Sequence, residues 1–118
     1  NILRDLKEDA GNSRCYLPAE DLHRFGVTRE MLVTGGENPA YHALMRFEVD
    51  RARVYYQQAA PLMQWLSPEG RRVQRAMLRM YGGLLDEIER RRFDVQSRRV
   101  RVPRSLKWKI AAQCLIGR

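Results

Sequence analysis

The stretch from Asn38 to Gly70 reads NPAYHALMRFEVDRARVYYQQAAPLMQWLSPEG. Its apolar positions include Tyr41, Leu44, Met45, Val49, Ala52, Tyr55, Tyr56, Ala59, Leu62, Met63 and Leu66. Steps of three and four residues dominate, which is the period of a helix and not of a strand. Asn38-Pro39 reads as its start, an N-cap followed by a proline whose missing N–H costs nothing in the first turn. Pro61 is expected to kink or break the helix near its end. Ser67-Pro68-Glu69 repeats the start signal. It opens a second long helix with Val73, Met77, Met80, Leu84 and Ile88 at helical spacing, expected to end near Arg92.

The rest of the chain fits around these two helices. Residues 1–10 read as a helix with Ile2, Leu3 and Leu6 on its apolar side, stopped by Gly11-Asn12. Pro18 suits the first turn of a short helix over 18–25, closed by Gly26. Thr28 starts another, ended by Gly35-Gly36. Residues 93–102 read as a loop despite Val95, Val100 and Val102. Pro103 opens a last helix whose apolar side carries Leu106, Ile110, Leu115 and Ile116. The predicted class is all-α, and the aromatic residues Tyr55, Tyr56 and Trp65, with the methionines, are expected in the core.

Composition narrows the function. The chain has 118 residues, 22 Lys and Arg against 14 Asp and Glu, and a formal net charge of +8. An excess of that size favours anionic partners: nucleic acid, diphosphates or an anionic membrane surface. The basic residues concentrate between Arg90 and Lys109, where Asp94 is the single acid. No zinc finger, aromatic RNA-binding pattern or helix-turn-helix accompanies them, so nucleic acid is not the expected partner. Two cysteines, Cys15 and Cys114, make no disulfide framework and no zinc motif. No run of apolar residues is long enough to cross a membrane as a helix.

Chemistry enters at the N-terminus. Asn1, Asp5 and Asp9 stand at i, i+4 and i+8, so on a helix they form one stripe that drifts by about 40° per step. Two carboxylates one turn apart, with an amide oxygen in line, are hard ligands suited to Mg2+ and phosphate chemistry. The same spacing also describes an ordinary solvated face, with Arg4 and Glu8 as an i,i+4 pair.

The wording around the stripe is more specific. Asn1-Ile2-Leu3-Arg4-Asp5-Leu6-Lys7-Glu8-Asp9-Ala10, followed by Arg14-Cys15-Tyr16-Leu17-Pro18, resembles the second aspartate-rich motif of the squalene/phytoene synthase family. That motif is usually worded NILRDxxEDxxxGRxYLP. Every fixed position is kept except the glycine before the arginine, which is Ser13 here. Tyr81-Gly82-Gly83-Leu84-Leu85-Asp86-Glu87-Ile88 resembles the family's late YxxILDEIE helix. Ser97-Arg98-Arg99-Val100-Arg101-Val102 and the following Lys107 resemble its C-terminal segment. The three motifs come in the family's order and span essentially the whole chain.

The resemblance implies an isoprenoid synthase-type helical bundle. Its members join two prenyl diphosphates head to head, here of the phytoene or presqualene diphosphate/squalene type. The implied substrates are farnesyl or geranylgeranyl diphosphate. The implied metal is Mg2+, with Mn2+ as an alternative, on Asn1, Asp5 and Asp9. NADPH enters only if a squalene-type second step takes place. Catalytic roles are implied for Asp5, Asp9, Tyr16 and Tyr81, and diphosphate binding for Arg4, Arg98, Arg99 and Lys107. Between Arg98 and Arg99 the alignment is open by one residue.

The family's first aspartate-rich motif is not among these residues. The expectation is therefore that residues 1–118 are the C-terminal portion of a synthase domain, inactive alone and prone to self-associate through uncovered apolar stripes. A cytoplasmic location is expected, with peripheral membrane contact compatible with the basic C-terminal segment. The alternative reading is a non-catalytic assembly module that retains the fold.

Overall fold

The computed structural model describes the backbone of residues 1–116 and the side chains of residues 1–114. Its elements are α1 (Leu6–Gly11), α2 (Ala19–Phe25), α3 (Arg29–Thr34), α4 (Pro39–Ala59), a 3-10 helix (Ala60–Trp65), α5 (Pro68–Arg90) and α6 (Arg104–Ile116). Among the described residues there is no strand, so the all-α class holds.

Both long helices begin where the sequence signals them. The Asn38 side chain accepts from the backbone N–H of Ala40 at 2.9 Å and of Tyr41 at 3.3 Å, with Pro39 in the first turn. Ser67 accepts from the N–H of Gly70 at 3.1 Å, ahead of Pro68. Each cap satisfies donors that the first helical turn leaves without partners. Pro61 does not end the chain's coiling but tightens it: α4 passes into the 3-10 helix, and Leu66 turns extended at φ −91°, ψ 149°.

The core forms where the N-terminal half of α4 meets the C-terminal half of α5. Tyr41, Leu44, Met45 and Val49 from α4 pack with Leu84, Leu85 and Ile88 from α5. Arg53 of α4 adds polar links to α5, 2.8 Å from Asp86 and 2.5 Å from Glu89. α1 lies on α3, α2 on α4, and α6 on α5. Gly83 explains how α6 can sit so close. A Cβ at that position would collide with the Leu106 side chain of α6. The glycine, unfavourable inside a helix, makes room for a neighbouring helix instead.

The far halves of the two long helices are different. Tyr55 is 62% exposed, Trp65 80%, Val73 60% and Met77 48%. The expectation that the tyrosine pair, Trp65 and the methionines lie in the core is therefore corrected: of these residues Met45 is buried, Tyr56, Met31, Met63 and Met80 are half-buried, and Tyr55, Trp65 and Met77 are exposed. Their apolar period is helical, but it runs beyond the stretch where α4 and α5 are covered.

Three further boundaries move. The first helix begins at Leu6, not at residue 1. Arg4 N–H bonds to Asn1 O at 3.0 Å, and Asp5 N–H is shared between Asn1 O and Ile2 O at 3.0 and 3.3 Å. This is a tight turn leading into Asp5, which has φ −100° and ψ 14° and sits outside the regular ladder. Pro18 stands just before α2, extended at ψ 133°, and not within its first turn. α5 stops at Arg90, two residues early, because Arg92 and Phe93 both turn left-handed (φ 53° and 64°).

That ending is a Schellman motif, with Phe93 N–H on Ile88 O at 2.9 Å and Arg92 N–H on Glu89 O at 2.7 Å. It throws the chain into residues 94–103, which form no helix. Val95, Val100 and Val102 are nonetheless buried and anchor this segment to the core. In α6, Ile110 is buried and Leu106 packs on the core, as expected. The expected inward roles of Leu115 and Ile116 lie outside the described side chains.

Candidate diphosphate and metal site

α1 and the turn before it carry the acidic motif. The bond from Asp5 N–H to Asn1 O (3.0 Å) and that from Asp9 N–H to Asp5 O (2.8 Å) set Asn1, Asp5 and Asp9 one turn apart. The Asp5 carboxylate is gripped at both oxygens by Arg4, with Nε to Oδ1 at 2.8 Å and Nη2 to Oδ2 at 2.6 Å. Those bonds hold the Asp5 carboxyl below its ordinary range, against the opposing pull of burial. Asp5 is thus an ionised carboxylate at neutral pH. Asp9 is half-buried, and among the described residues its carboxylate has no ion pair.

The 94–103 segment crosses this motif. Arg99 Nη2 lies 3.2 Å from Asp5 Oδ1, and its Nη1 lies 3.1 Å from Glu8 Oε2. Arg98, next door, is exposed, and neither of the two clefts described here includes it. Of the two arginines the sequence left open, Arg99 reaches the motif. The segment's position is fixed by Gln96. Its Nε2 donates to Leu32 O at 3.1 Å and to Tyr41 Oη at 2.8 Å, while Tyr41 donates to Phe93 O at 3.0 Å.

Besides a charged hollow lined by Arg4, Asp5, Lys7, Glu8, Gln96 and Arg99, two clefts open beside the motif. One, of about 760 Å³, is lined by Asn1, Arg4, Tyr81, Arg99, Arg101 and Lys107, with apolar walls from Met77, Met80 and Leu84. Four cations face one hollow, a geometry that attracts a polyanion. The other, of about 310 Å³, is mostly apolar and is lined by Tyr16, Tyr55, Tyr56, Tyr81, Leu84, Leu85 and Ile88, among others. Asn1, Tyr81 and Leu84 belong to both clefts. A cationic hollow and an aromatic hollow therefore share a wall.

Among the residues named from sequence, Asn1, Arg4, Tyr81, Arg99 and Lys107 line the cationic cleft, Asp5 is bonded to two of them, and Tyr16 lies on the aromatic side. Asp9 and Arg98 line neither cleft. Sequence reasoning missed Arg101, Tyr55 and Tyr56. The signal for Arg101 was the alternation Arg99-Val100-Arg101-Val102, in which both valines are buried and both arginines exposed.

The donor set can be tested against Mg2+. Two carboxylates and an amide at one-turn spacing are hard oxygen donors that fit an ion taking one or two protein carboxylates and completing its shell with water and phosphate. Among the described residues no group of three or more His, Cys, Asp or Glu side chains comes together. These donors suit a hard cation only as part of a wider oxygen shell, not as a closed protein cage, and Asp5 is held at both oxygens by Arg4.

The chain's relatives agree with the motifs. The family model described as squalene/phytoene synthase matches residues 1–105. The chain is 41% identical over 103 residues to a 15-cis-phytoene synthase of Synechocystis, covering 87% of this chain and 31% of that protein. It is 42% identical over 103 residues to a phytoene synthase of Arthrospira platensis, covering 87% and 33%. It is 36% identical over 107 residues to a chloroplastic phytoene synthase of Zea mays, covering 91% and 25%. The chain thus spans a third or less of the length of these relatives. With the acidic motif, the late tyrosine helix and the arginine segment converging on one pair of clefts, and a family match over nearly its whole length, the chain belongs to the squalene/phytoene synthase family.

Proposed function

We propose that this chain supplies the second aspartate-rich wall of a head-to-head prenyl synthase of the phytoene type. The observation that carries the proposal is the cleft in which Arg4, Arg99, Arg101 and Lys107 face Tyr81, with Asp5 tied to two of the arginines. Named relatives that are phytoene synthases favour this product class. The first aspartate-rich motif belongs, on this reading, to a preceding part of the same domain, and residues 1–118 act as its C-terminal portion.

In the proposed reaction the allylic C–O bond of one prenyl diphosphate breaks and the electron pair leaves with diphosphate. The double bond of the second substrate captures the cation, and loss of a proton closes a cyclopropane that still carries the second diphosphate; departure of that diphosphate with its electron pair, rearrangement of the resulting cation and loss of a second proton give the C40 hydrocarbon. Arg4, Arg99, Arg101 and Lys107 bind the diphosphate oxygens and offset the charge that develops there. Mg2+, when bound, would be held by Asp5 and Asp9 with the Asn1 amide oxygen and would neutralise the leaving diphosphate. Tyr81 and Tyr16, with Tyr55 and Tyr56, offer aromatic faces to the isoprenoid cation and exclude water from it.

The test uses the complete protein that contains this chain. It is incubated with Mg2+ and either farnesyl or geranylgeranyl diphosphate, and extracted products are read by mass spectrometry beside an Asp5→Ala variant. A C40 hydrocarbon from the C20 substrate, lost in the variant, is expected. A folded protein that makes no product from either substrate would overturn the synthase reading in favour of a non-catalytic assembly module.

A further inference from the structure

Glu8 does not take the partner that its spacing offers. Arg4, one turn before it, bonds both oxygens of Asp5, and Glu8 reaches Arg99 instead, 91 residues along the chain. Arg99 Nη1 donates to Glu8 Oε2 at 3.1 Å, while its Nη2 stands 3.2 Å from Asp5 Oδ1. Lys7, beside Glu8 on α1, donates to Gln96 O at 3.1 Å. Successive residues of α1 thus grip the 94–103 segment, one at its backbone and one at a side chain that lines the cationic cleft.

The backbone on either side of Arg99 is already fixed, by Gln96 and by the buried Val100. The Arg99 side chain is half-exposed, and an arginine gives up much rotamer freedom when it is held. Asp5 is a divided holder: Arg4 takes both of its oxygens, and Oδ1 is shared with Arg99. Anything that draws Asp5 from its arginines, a hard cation included, loosens Arg99 just when it must meet diphosphate. Glu8 has no such second claim. Among the described residues its ion pair is with Arg99.

We propose that Glu8 is the positioning residue of Arg99, holding the guanidinium at the cleft when Asp5 is engaged elsewhere. This rests on the proposed function, in which Arg99 meets diphosphate. A guanidinium carries several N–H donors in a planar fork, so Nη1 stays on Glu8 while other donors turn to diphosphate oxygens. The Glu8 charge acts the opposite way, since an anion beside the cleft repels diphosphate. Two substitutions separate the effects. Glu8→Gln removes the charge and keeps an oxygen that accepts from Nη1; Glu8→Ala removes both.

The experiment is titration calorimetry of the complete protein with inorganic diphosphate in the absence of metal, beside steady-state kinetics with geranylgeranyl diphosphate. Glu8→Ala should weaken diphosphate binding about three- to fivefold, the range for an exposed ion pair, with the kinetic loss falling on KM and not on kcat. Glu8→Gln should match or exceed the wild-type affinity. The Glu8→Ala loss should vanish in an Arg99→Ala background and grow in an Asp5→Ala background, where Glu8 is the remaining holder. Circular dichroism checks the fold, and Glu8→Met, matched to glutamine in length, serves if Glu8→Ala melts early. Glu8→Ala and Glu8→Gln behaving alike, or a Glu8→Ala loss that persists without Arg99, would overturn the proposal. A wild-type protein that binds no diphosphate would overturn it together with the proposed function. A wild-type protein that binds diphosphate without turnover would sink the synthase reading alone, and calorimetry would still rank the variants.

Discussion

The guanidinium of Arg99 stands 3.2 Å from the carboxylate of Asp5, joining the 94–103 segment to the N-terminal acidic motif beside a cationic cleft. Arg98 has no such contact, although it is identical in type and adjacent in sequence. The difference is one of backbone phase. Val100 and Val102 are buried, so Arg99 and Arg101 turn to the other side. On the proposed function, Arg99→Ala should raise the KM for prenyl diphosphate by about 10- to 100-fold, the range for losing a charge-assisted contact. Arg98→Ala should leave it within about twofold, the scale of a solvated surface charge. Steady-state kinetics of the two variants side by side decides the matter, and equal losses would refute the assignment.

Ser13 offers a second test. It occupies the position where the family motif usually carries glycine, and it adopts φ 58°. Ser13 N–H bonds to Ala10 O at 3.1 Å, and Arg14 N–H to Asp9 O at 2.8 Å. This is the Schellman ending of α1, whose left-handed residue carries a steric penalty for any side chain. Ser13→Gly should stabilise the protein by about 0.5–1 kcal/mol, the relief of that strain less the entropy glycine gains when unfolded. Urea denaturation is the measurement. A loss of stability would mean that the serine side chain has a partner worth more than the strain.

The neighbouring glycines of α5 should behave in opposite ways. A Cβ on Gly82 meets nothing within 4 Å, whereas one on Gly83 runs into Leu106. Gly82→Ala should stabilise by about 0.5–1 kcal/mol through helix propensity. Gly83→Ala should destabilise by about 1–3 kcal/mol, the cost of overpacking. Thermal melts of both variants test the pair. If both were stabilising, α6 would have to sit further from α5.

Glu87 governs part of the acid response. It is buried, and bonds from Arg90 (2.6 Å) and then Arg91 (2.9 Å) pull its carboxyl from the ordinary 4.5 down to about 2. A folded pKa below the unfolded one gives stability that is present above about pH 4.5 and lost as pH falls toward 2. Melting temperature should therefore drop across that window. Glu87→Gln should have a lower plateau at neutral pH and a shallower fall. An unchanged slope in the variant would remove Glu87 from the acid transition.

Much of this was legible in the sequence, for local reasons. Asn38-Pro39 and Ser67-Pro68 are self-contained signals, and both caps form as read. The acidic stripe was readable from spacing, although its first turn is tighter than a helix. Long-range facts were harder. Periodicity identifies an apolar face but not how far that face is covered, and so the spacing of Tyr55 and Trp65 points to a core that neither enters. The choice of Arg99 over Arg98 depended on Val100 and Val102 finding the core, which a one-residue ambiguity in a loop hides. Arg101 went unnoticed for the same reason.

Gln96 carries a consequence for evolution. Its side chain ties the arginine segment to Leu32 O and the Tyr41 hydroxyl, and Gly35 lies so close that a Cβ there would strike it. Four positions, on α3, its C-terminal cap, α4 and the 94–103 segment, thus set where Arg99 is presented. Drift at Leu32, Gly35 or Tyr41 would be felt as altered substrate recognition, although none of them lines the cleft. Selection on the anion-binding side chain should therefore reach well beyond it, and a variant survey should find these remote sites as intolerant as the arginine itself.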